Sequence, residues 1–230
     1  MGYSFSLVLL VKMSLDKEPE RYYDWILWKL RQEKKSDMVN TSMEMDAPYV
    51  AKEEMIQLIG LDCVKAKLNG IDNEKIKSIV YDNANDKFSD NPNNTGIEDS
   101  RLPDGNEYVQ NMKTIITRST STYLQQSVKL LNIWAHVVPP NGSTNYHHHR
   151  GEYAIDKVCS VVYYIDVPEN SGDLIFMMNV CNVEFVKEVK SEEDHLVIFP
   201  SFIPHMTGKN KSDRDRISIS ANFLVGEKNV

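Results

Sequence analysis

The residues with the clearest chemical potential are four histidines and one arginine in the C-terminal half of the chain. Three histidines form the run His147–His149, His205 follows in a later segment, and Arg216 comes shortly after it. Alternate residues of an extended segment face the same way, so the first and third histidines of the run can reach one ion. Imidazole suits Fe(II), which non-haem sites hold by three ligands on one face. The spacing therefore predicts a ferrous site beside a cationic group; a solvated loop is the alternative for the run.

The segment that begins at Arg216 alternates between polar and apolar residues. Its apolar positions are Ile217, Ile219, Ala221 and Phe223, and its polar positions are Arg216, Ser218, Ser220 and Asn222. This period of two predicts a strand with one apolar and one polar face. A buried guanidinium must be paired, and its planar fork suits a carboxylate. We therefore predict that Arg216 and Ser218 clamp the distal carboxylate of a diacid that chelates the metal, with a solvated edge strand as the alternative.

Three segments, in this order, carry a resemblance to a known family. They are Asn145–His149 with Lys157–Ile165 after it, Leu196–His205, and Arg216–Ser220. Together they resemble the Fe(II)- and 2-oxoglutarate-dependent dioxygenases, specifically the prolyl-4-hydroxylase-like branch with small bacterial and phage-encoded members. The resemblance implies a mainly β fold with some α structure, in which a double-stranded β-helix, or jelly-roll barrel, packs against N-terminal helices. It covers about the last 100 residues, and the N-terminal half carries no motif of the family.

The resemblance also implies roles for individual residues. The implied metal ligands are His147, His149 and His205, and the implied contacts to the C5 carboxylate of 2-oxoglutarate are Arg216, Ser218 and Tyr164. Tyr163 is an alternative to Tyr164. The family usually has an acidic residue where this chain has His149, so three alternatives for the third ligand stay open: His148, Glu152 and Asp156. No catalytic side chain beyond the metal ligands is implied.

The activity implied by the resemblance is a hydroxylation that consumes O2 and is coupled to decarboxylation of 2-oxoglutarate to succinate. Ascorbate could serve as the reductant. The favoured substrate is a peptidyl proline or a similar residue, although a small molecule is also possible. Two other functions fit the same residues. A three-histidine cupin-type dioxygenase or isomerase would need no 2-oxoglutarate, and a non-catalytic β-sandwich binding module would need no metal.

Composition narrows the class of protein. The chain has 230 residues and a formal net charge of -7, with its basic residues scattered, which disfavours a nucleic-acid partner. The three cysteines share no metal-ligand spacing and favour a reducing, cytoplasmic location over a disulfide framework. The apolar segment Phe5–Val11 is too short to span a bilayer and lacks signal-peptide flanks, so we interpret it as a buried strand without membrane contact. The oligomeric state is not predictable.

The pattern along the chain predicts one domain over residues 1–230 with two parts. Residues 1–126 should hold the N-terminal strand, three helices at Asp16–Lys35, Lys52–Leu68 and Glu107–Gln126, and a loop at 81–106 that we interpret as a lid. Residues 127–230 should form the jelly-roll core. The strands predicted there are Leu130–Val138, Val158–Val167, Asp173–Met177, Val183–Val189, Leu196–Phe199 and Arg216–Phe223.

Overall fold

Two antiparallel β-sheets and two helices make up the part of the chain described by the computed structural model, which covers residues 50–58, 61–83, 98–149, 157–180 and 183–226. The strands are β1 Val50–Leu58, β2 Leu61–Leu68, β3 Glu98–Ser100, β4 Val128–Val138, β5 Val158–Asp166, β6 Leu174–Val180, β7 Val183–Val189, β8 His195–Pro200, β9 His205–Thr207 and β10 Arg216–Val225. The helices are α1 Asn73–Asp82 and α2 Glu107–Leu124.

The order of the strands identifies the fold. The large sheet has the order β1-β2-β8-β5-β10-β4-β3, and the small sheet has the order β7-β6-β9. Strands β5 and β8 pair although two strands of the other sheet lie between them in the sequence. An isolated bridge between His147 and His205 extends the small sheet beyond β9. This exchange of the chain between two sheets is the double-stranded β-helix, or jelly roll, and it confirms the predicted fold class.

The apolar face of β10 explains where the core lies. Ile217, Ile219 and Phe223 belong to one buried cluster with residues of α2 such as Ile115. The helix begins at a cap where the Asn106 side chain accepts hydrogen bonds from two backbone amides, and such a cap satisfies donors that the first turn leaves unpaired. The helices therefore cover the outer face of the large sheet. The polar residues of β10 point the opposite way, toward the small sheet.

The predicted helix at Lys52–Leu68 is wrong. This segment forms β1 and β2, which pair with each other, and β2 also pairs with β8 in the register Val64↔Ile198. The lysines, glutamates, leucines and alanine of the segment favour a helix, but helix propensity is worth only a fraction of a kcal/mol per residue. Hydrogen bonding of β2 along both of its edges outweighs that preference. The described residues of this segment are therefore strands of the large sheet.

The predicted loop at 81–106 is partly wrong. Helix α1 was not predicted and continues to Asp82, and β3 pairs with β4 inside the predicted loop. Residues 84–97 lie outside the described residues, as do the predicted strand Phe5–Val11 and helix Asp16–Lys35. The predicted helix from Glu107 and all the predicted C-terminal strands are confirmed to within a few residues. Neither described helix is long and apolar enough to cross a membrane.

Candidate metal centre

The three histidines predicted as metal ligands converge. One ring nitrogen from each of His147, His149 and His205 lies within 4.8 Å of the other two. Their ring centroids are 4.4 to 5.2 Å apart. Alternation along the extended segment produces this arrangement, since the intervening His148 is exposed. The two acidic alternatives for the third ligand, Glu152 and Asp156, lie outside the described residues.

Backbone hydrogen bonds bring the two histidine segments together. The amide of each of His147 and His205 donates to the carbonyl of the other, at 2.9 and 2.8 Å. The amide of His149 donates to the Ser201 carbonyl at 3.0 Å, so a second contact fixes the end of the run against the loop after β8. Two separated segments are thereby held at one point by the main chain, independent of any ion.

Hydrogen bonds also set the ring tautomers. Nδ1 of His147 lies 2.7 Å from the Asn145 carbonyl oxygen, and Nδ1 of His205 lies 2.8 Å from the Ile203 carbonyl oxygen. A carbonyl can only accept, so each Nδ1 must carry the proton, and each neutral ring keeps its lone pair on Nε2. A second hydrogen bond of this kind is the usual way in which proteins orient a metal-binding imidazole. These two rings therefore fit a metal through Nε2.

The environment keeps His205 neutral. Burial is the main cause that lowers its pKa well below the ordinary value, and the neighbouring His147 and His149 lower it further. The ring also packs edge-on against Phe199, with centroids 4.8 Å apart. A neutral, fixed imidazole is the form that binds a metal ion. The residues present thus fit an imidazole-bound cation such as Fe(II).

Arg216 is buried and forms no ion pair with an acidic residue in the described part of the chain. Its side chain is 1% exposed, and Nη1 donates to the carbonyls of Ser171 and Gly172 at 3.0 and 2.7 Å. Its Nε is buried and makes no hydrogen bond to any residue that the structure describes. Burial lowers its pKa, while Tyr164 and Asp173 oppose that effect. Because a buried charge is costly unless it is paired, this guanidinium fits the binding of an anion.

The other two predicted anion contacts lie on the same strand as Arg216 and on the strand next to it. Ser218 is on β10 and pairs in register with Tyr164 on β5. Burial raises the pKa of Tyr164, with Arg216 and then Ser191 opposing. Tyr163 faces the opposite side of the sheet, where its hydroxyl donates to Asn73 at 3.0 Å and its ring belongs to the core. Of the two tyrosines, only Tyr164 lines the same cavity as Arg216.

One cavity joins these groups. It has an empty volume of about 500 Å³, including its open mouth, and His147, His149, His205, Arg216, Ser218 and Tyr164 all line it. Among the described lining residues there is no aspartate, glutamate or lysine, and Arg216 is the only arginine. The polar face of β10 thus lines a cavity and does not lie in bulk water as the edge-strand alternative required.

Some lining residues were missed from the sequence. Trp134 and His136 on β4 line the same cavity, as do Ser160 and Asn222, which form a buried hydrogen bond at 2.8 Å. His136 was not among the predicted site residues. Asn132, Trp134 and His136 are alternate residues of one strand and so share a face, which the sequence alone indicates. Their position in the cavity follows from the pairing of β4 with β10, which joins segments far apart in the sequence.

Solved structures with a similar fold include several oxygenases. SnoK, a non-haem α-ketoglutarate-dependent carbocyclase from nogalamycin biosynthesis, has a TM-score of 0.55 at 10% identity, covering 70% of this chain and 79% of that chain. HygX from Streptomyces hygroscopicus, with nickel, 2-oxoglutarate and hygromycin B bound, has a TM-score of 0.50 at 9% identity, covering 70% and 82%. A prolyl-4-hydroxylase from Pseudomonas putida has a TM-score of 0.46 at 17% identity, covering 67% of this chain and 84% of that chain.

No protein-family model matches the chain, and no curated protein matches it. At these low identities, the similarity to SnoK and HygX shows that the fold is shared.

Proposed function

We propose that this protein is an Fe(II)- and 2-oxoglutarate-dependent hydroxylase. The observation that carries the proposal is that three converging imidazoles line one cavity with a buried guanidinium, which forms no ion pair with any residue that the structure describes. His147, His149 and His205 would hold Fe(II), and Arg216, Ser218 and Tyr164 would hold the C5 carboxylate of 2-oxoglutarate. When bound, Fe(II), 2-oxoglutarate and O2 supply the oxidation, in which the keto acid is converted to succinate and CO2 and a C–H bond is hydroxylated.

The chain's own residues would contribute position and exclusion of water. The hydrogen bonds to the Asn145 and Ile203 carbonyls fix the ring orientations, and Phe199 shields His205 from solvent. The carbonyls of Ser171 and Gly172 aim Arg216 by holding Nη1, which leaves the rest of its fork for the carboxylate. These fixed contacts would set the distance between anion and metal before either binds, and such preorganisation lowers the cost of binding.

The substrate that we propose is a peptidyl proline or a similar residue, in a cytoplasmic protein or peptide. This part of the proposal is supported by the resemblance of the metal and strand segments to prolyl hydroxylases. Synthetic prolyl peptides and free small molecules, offered separately with Fe(II), 2-oxoglutarate and ascorbate, would identify the class. Hydroxylated product from peptides alone would support it, and product from small molecules alone would contradict it.

Succinate formation tests the cofactor assignment. The purified protein, reconstituted anaerobically with Fe(II) and then exposed to O2, should convert 2-oxoglutarate to succinate slowly even without a substrate. Arg216→Ala should weaken 2-oxoglutarate binding about a hundredfold, because it removes the cation of a buried charge pair. Arg214→Ala is the matched control, since Arg214 is an exposed arginine two residues away, and its turnover should equal that of the wild type.

Two results would contradict the proposal. Metal binding without any succinate would favour a three-histidine oxygenase or isomerase that uses no 2-oxoglutarate. Absence of stoichiometric metal from the reconstituted protein would favour a binding module without catalysis. Equal turnover in the Arg216 and Arg214 variants would contradict only the assignment of Arg216 to the C5 carboxylate.

A further inference from the structure

His136 stands in a row of side chains that crosses three neighbouring strands. Ser218 on β10 pairs in register with His136 on β4 and with Tyr164 on β5. Directly opposite residues of antiparallel strands point to the same face, with Cβ atoms about 4.5 to 5.5 Å apart. All three line the cavity, and Arg216 lies two residues along β10 on the same face. His136 is therefore a neighbour of the side chains assigned above to the distal carboxylate.

Trp134 determines which ring nitrogen of His136 carries the proton. The indole Nε1 of Trp134 donates to Nε2 of His136 at 2.7 Å. An indole N–H can only donate, so Nε2 must accept, and the neutral imidazole carries its own proton on Nδ1. Because the same hydrogen bond occupies the Nε2 lone pair, this nitrogen is not available to a metal ion. His136 is also not part of the cluster of His147, His149 and His205. His136 is thereby fixed as a donor through Nδ1 and is distinguished from the metal ligands.

The side chains that line the cavity indicate which kind of group the Nδ1 donor of His136 binds. No aspartate or glutamate is among the described lining residues, whereas Arg216, Ser218 and Tyr164 can each donate. An ionised carboxylate accepts only, and its two oxygens offer about four lone-pair sites. We propose, building on the proposed function, that His136 is a further donor to the distal carboxylate of 2-oxoglutarate and that Trp134 is the positioning residue that fixes its tautomer.

Binding of 2-oxoglutarate to the Mn(II)-loaded protein, measured calorimetrically, tests this assignment without turnover. His136→Ala should weaken binding roughly tenfold or more, as expected for a lost hydrogen bond to a charged group. His136→Asn, whose side-chain N–H can take the place of Nδ1–H, should recover most of the loss. His195→Ala is the matched control, because His195 lies at the start of β8 beside Glu192 and away from the cavity. All three variants should bind Mn(II) as the wild type does.

A second probe separates the two ends of the ligand. The keto acid 2-oxopentanoate has the same chain length as 2-oxoglutarate but lacks the distal carboxylate, so His136→Ala should leave its affinity unchanged. Trp134→Phe, which removes the tautomer lock and keeps an aromatic ring, should weaken 2-oxoglutarate binding by a smaller factor than His136→Ala.

Three outcomes would overturn the assignment. Equal 2-oxoglutarate affinity in His136→Ala and the wild type would show that His136 does not bind the carboxylate, and it would leave the proposed function intact. Equal weakening of both probes would show a general distortion of the cavity. Absence of 2-oxoglutarate binding by the metal-loaded wild type would defeat the proposed function itself, and with it this assignment.

Discussion

At the scale of single residues, the site differs in charge from iron sites that use two histidines and a carboxylate. The described cluster consists of three imidazoles and contains no carboxylate. With Fe(II) and Arg216 the cavity would carry three positive charges, and a 2-oxoglutarate dianion would offset two of them. An all-histidine site should therefore hold the metal less tightly than a carboxylate site but attract the dianion more strongly. Metal and keto acid are expected to stabilise each other's binding.

Gly172 helps to orient the Arg216 side chain. Its carbonyl accepts from Arg216, its φ is +89°, and a Cβ there would lie 2.2 Å from the Gly208 carbonyl oxygen. Gly172→Ala should lower the free energy of unfolding by about 3 kcal/mol or more, combining left-handed strain with overpacking. Gly105→Ala is the control: its φ is +91° with nothing within 4 Å, so it should cost about 1 kcal/mol. Urea denaturation of both variants measures the difference, and equal losses would show that the close approach is unimportant.

At the scale of elements, the sequence predicted the strands with strong local signals and missed those that depend on pairing. Strand β7 matches its prediction because alternation and flanking turns are local properties. Strand β9 has three residues and exists through its pairing with β6. Helix α1 did have a local signal, since the Asp72 side chain caps it by accepting from the Lys75 amide. Strand β2 was misassigned because its segment is rich in helix-forming residues and because one of its two partners, β8, lies far away in the sequence.

The link between β2 and the turn before β8 gives a testable prediction about acid stability. Lys65 has a side chain that is 6% exposed and lies 2.8 Å from Glu192. The hydrogen bond from Lys65 is the main cause that lowers the pKa of Glu192 below its ordinary value of 4.5. A lowered carboxyl pKa contributes stability that is fully present above the ordinary pKa and is lost as pH falls through the folded-state value.

Glu192→Gln should therefore destabilise the protein at neutral pH by about 1 kcal/mol, a modest value because 37% of the Glu192 side chain is exposed and screened. The difference from the wild type should shrink in acid, where the wild-type carboxyl is also protonated. Asp104→Asn is the control. It removes the ion pair between Asp104 and Lys113, in which the Asp104 side chain is exposed, so the free energy of unfolding should not change measurably. A difference that grows in acid would contradict the assignment. Thermal unfolding across pH provides the measurement.

At the scale of the whole molecule, the site uses both sheets. The histidine cluster comes from β9 and the segment bridged to it, next to the small sheet. The proposed anion donors come from β5 and β10 of the large sheet, whose other face packs on the helices. The sequence could predict the residue types because imidazole and guanidinium chemistry is local. It could not predict that His136 joins them, since that follows from the pairing of β4 with β10 across a long stretch of chain.

A crystal structure of the protein grown anaerobically with Fe(II) and 2-oxoglutarate would test the central claim most directly. We expect one ion about 2.1 Å from a nitrogen of each of His147, His149 and His205, the histidine distance typical of zinc and comparable ions. We also expect the distal carboxylate of 2-oxoglutarate at the guanidinium of Arg216. Anomalous density for iron at any other place, or a keto acid whose far carboxylate lies away from Arg216, would contradict it.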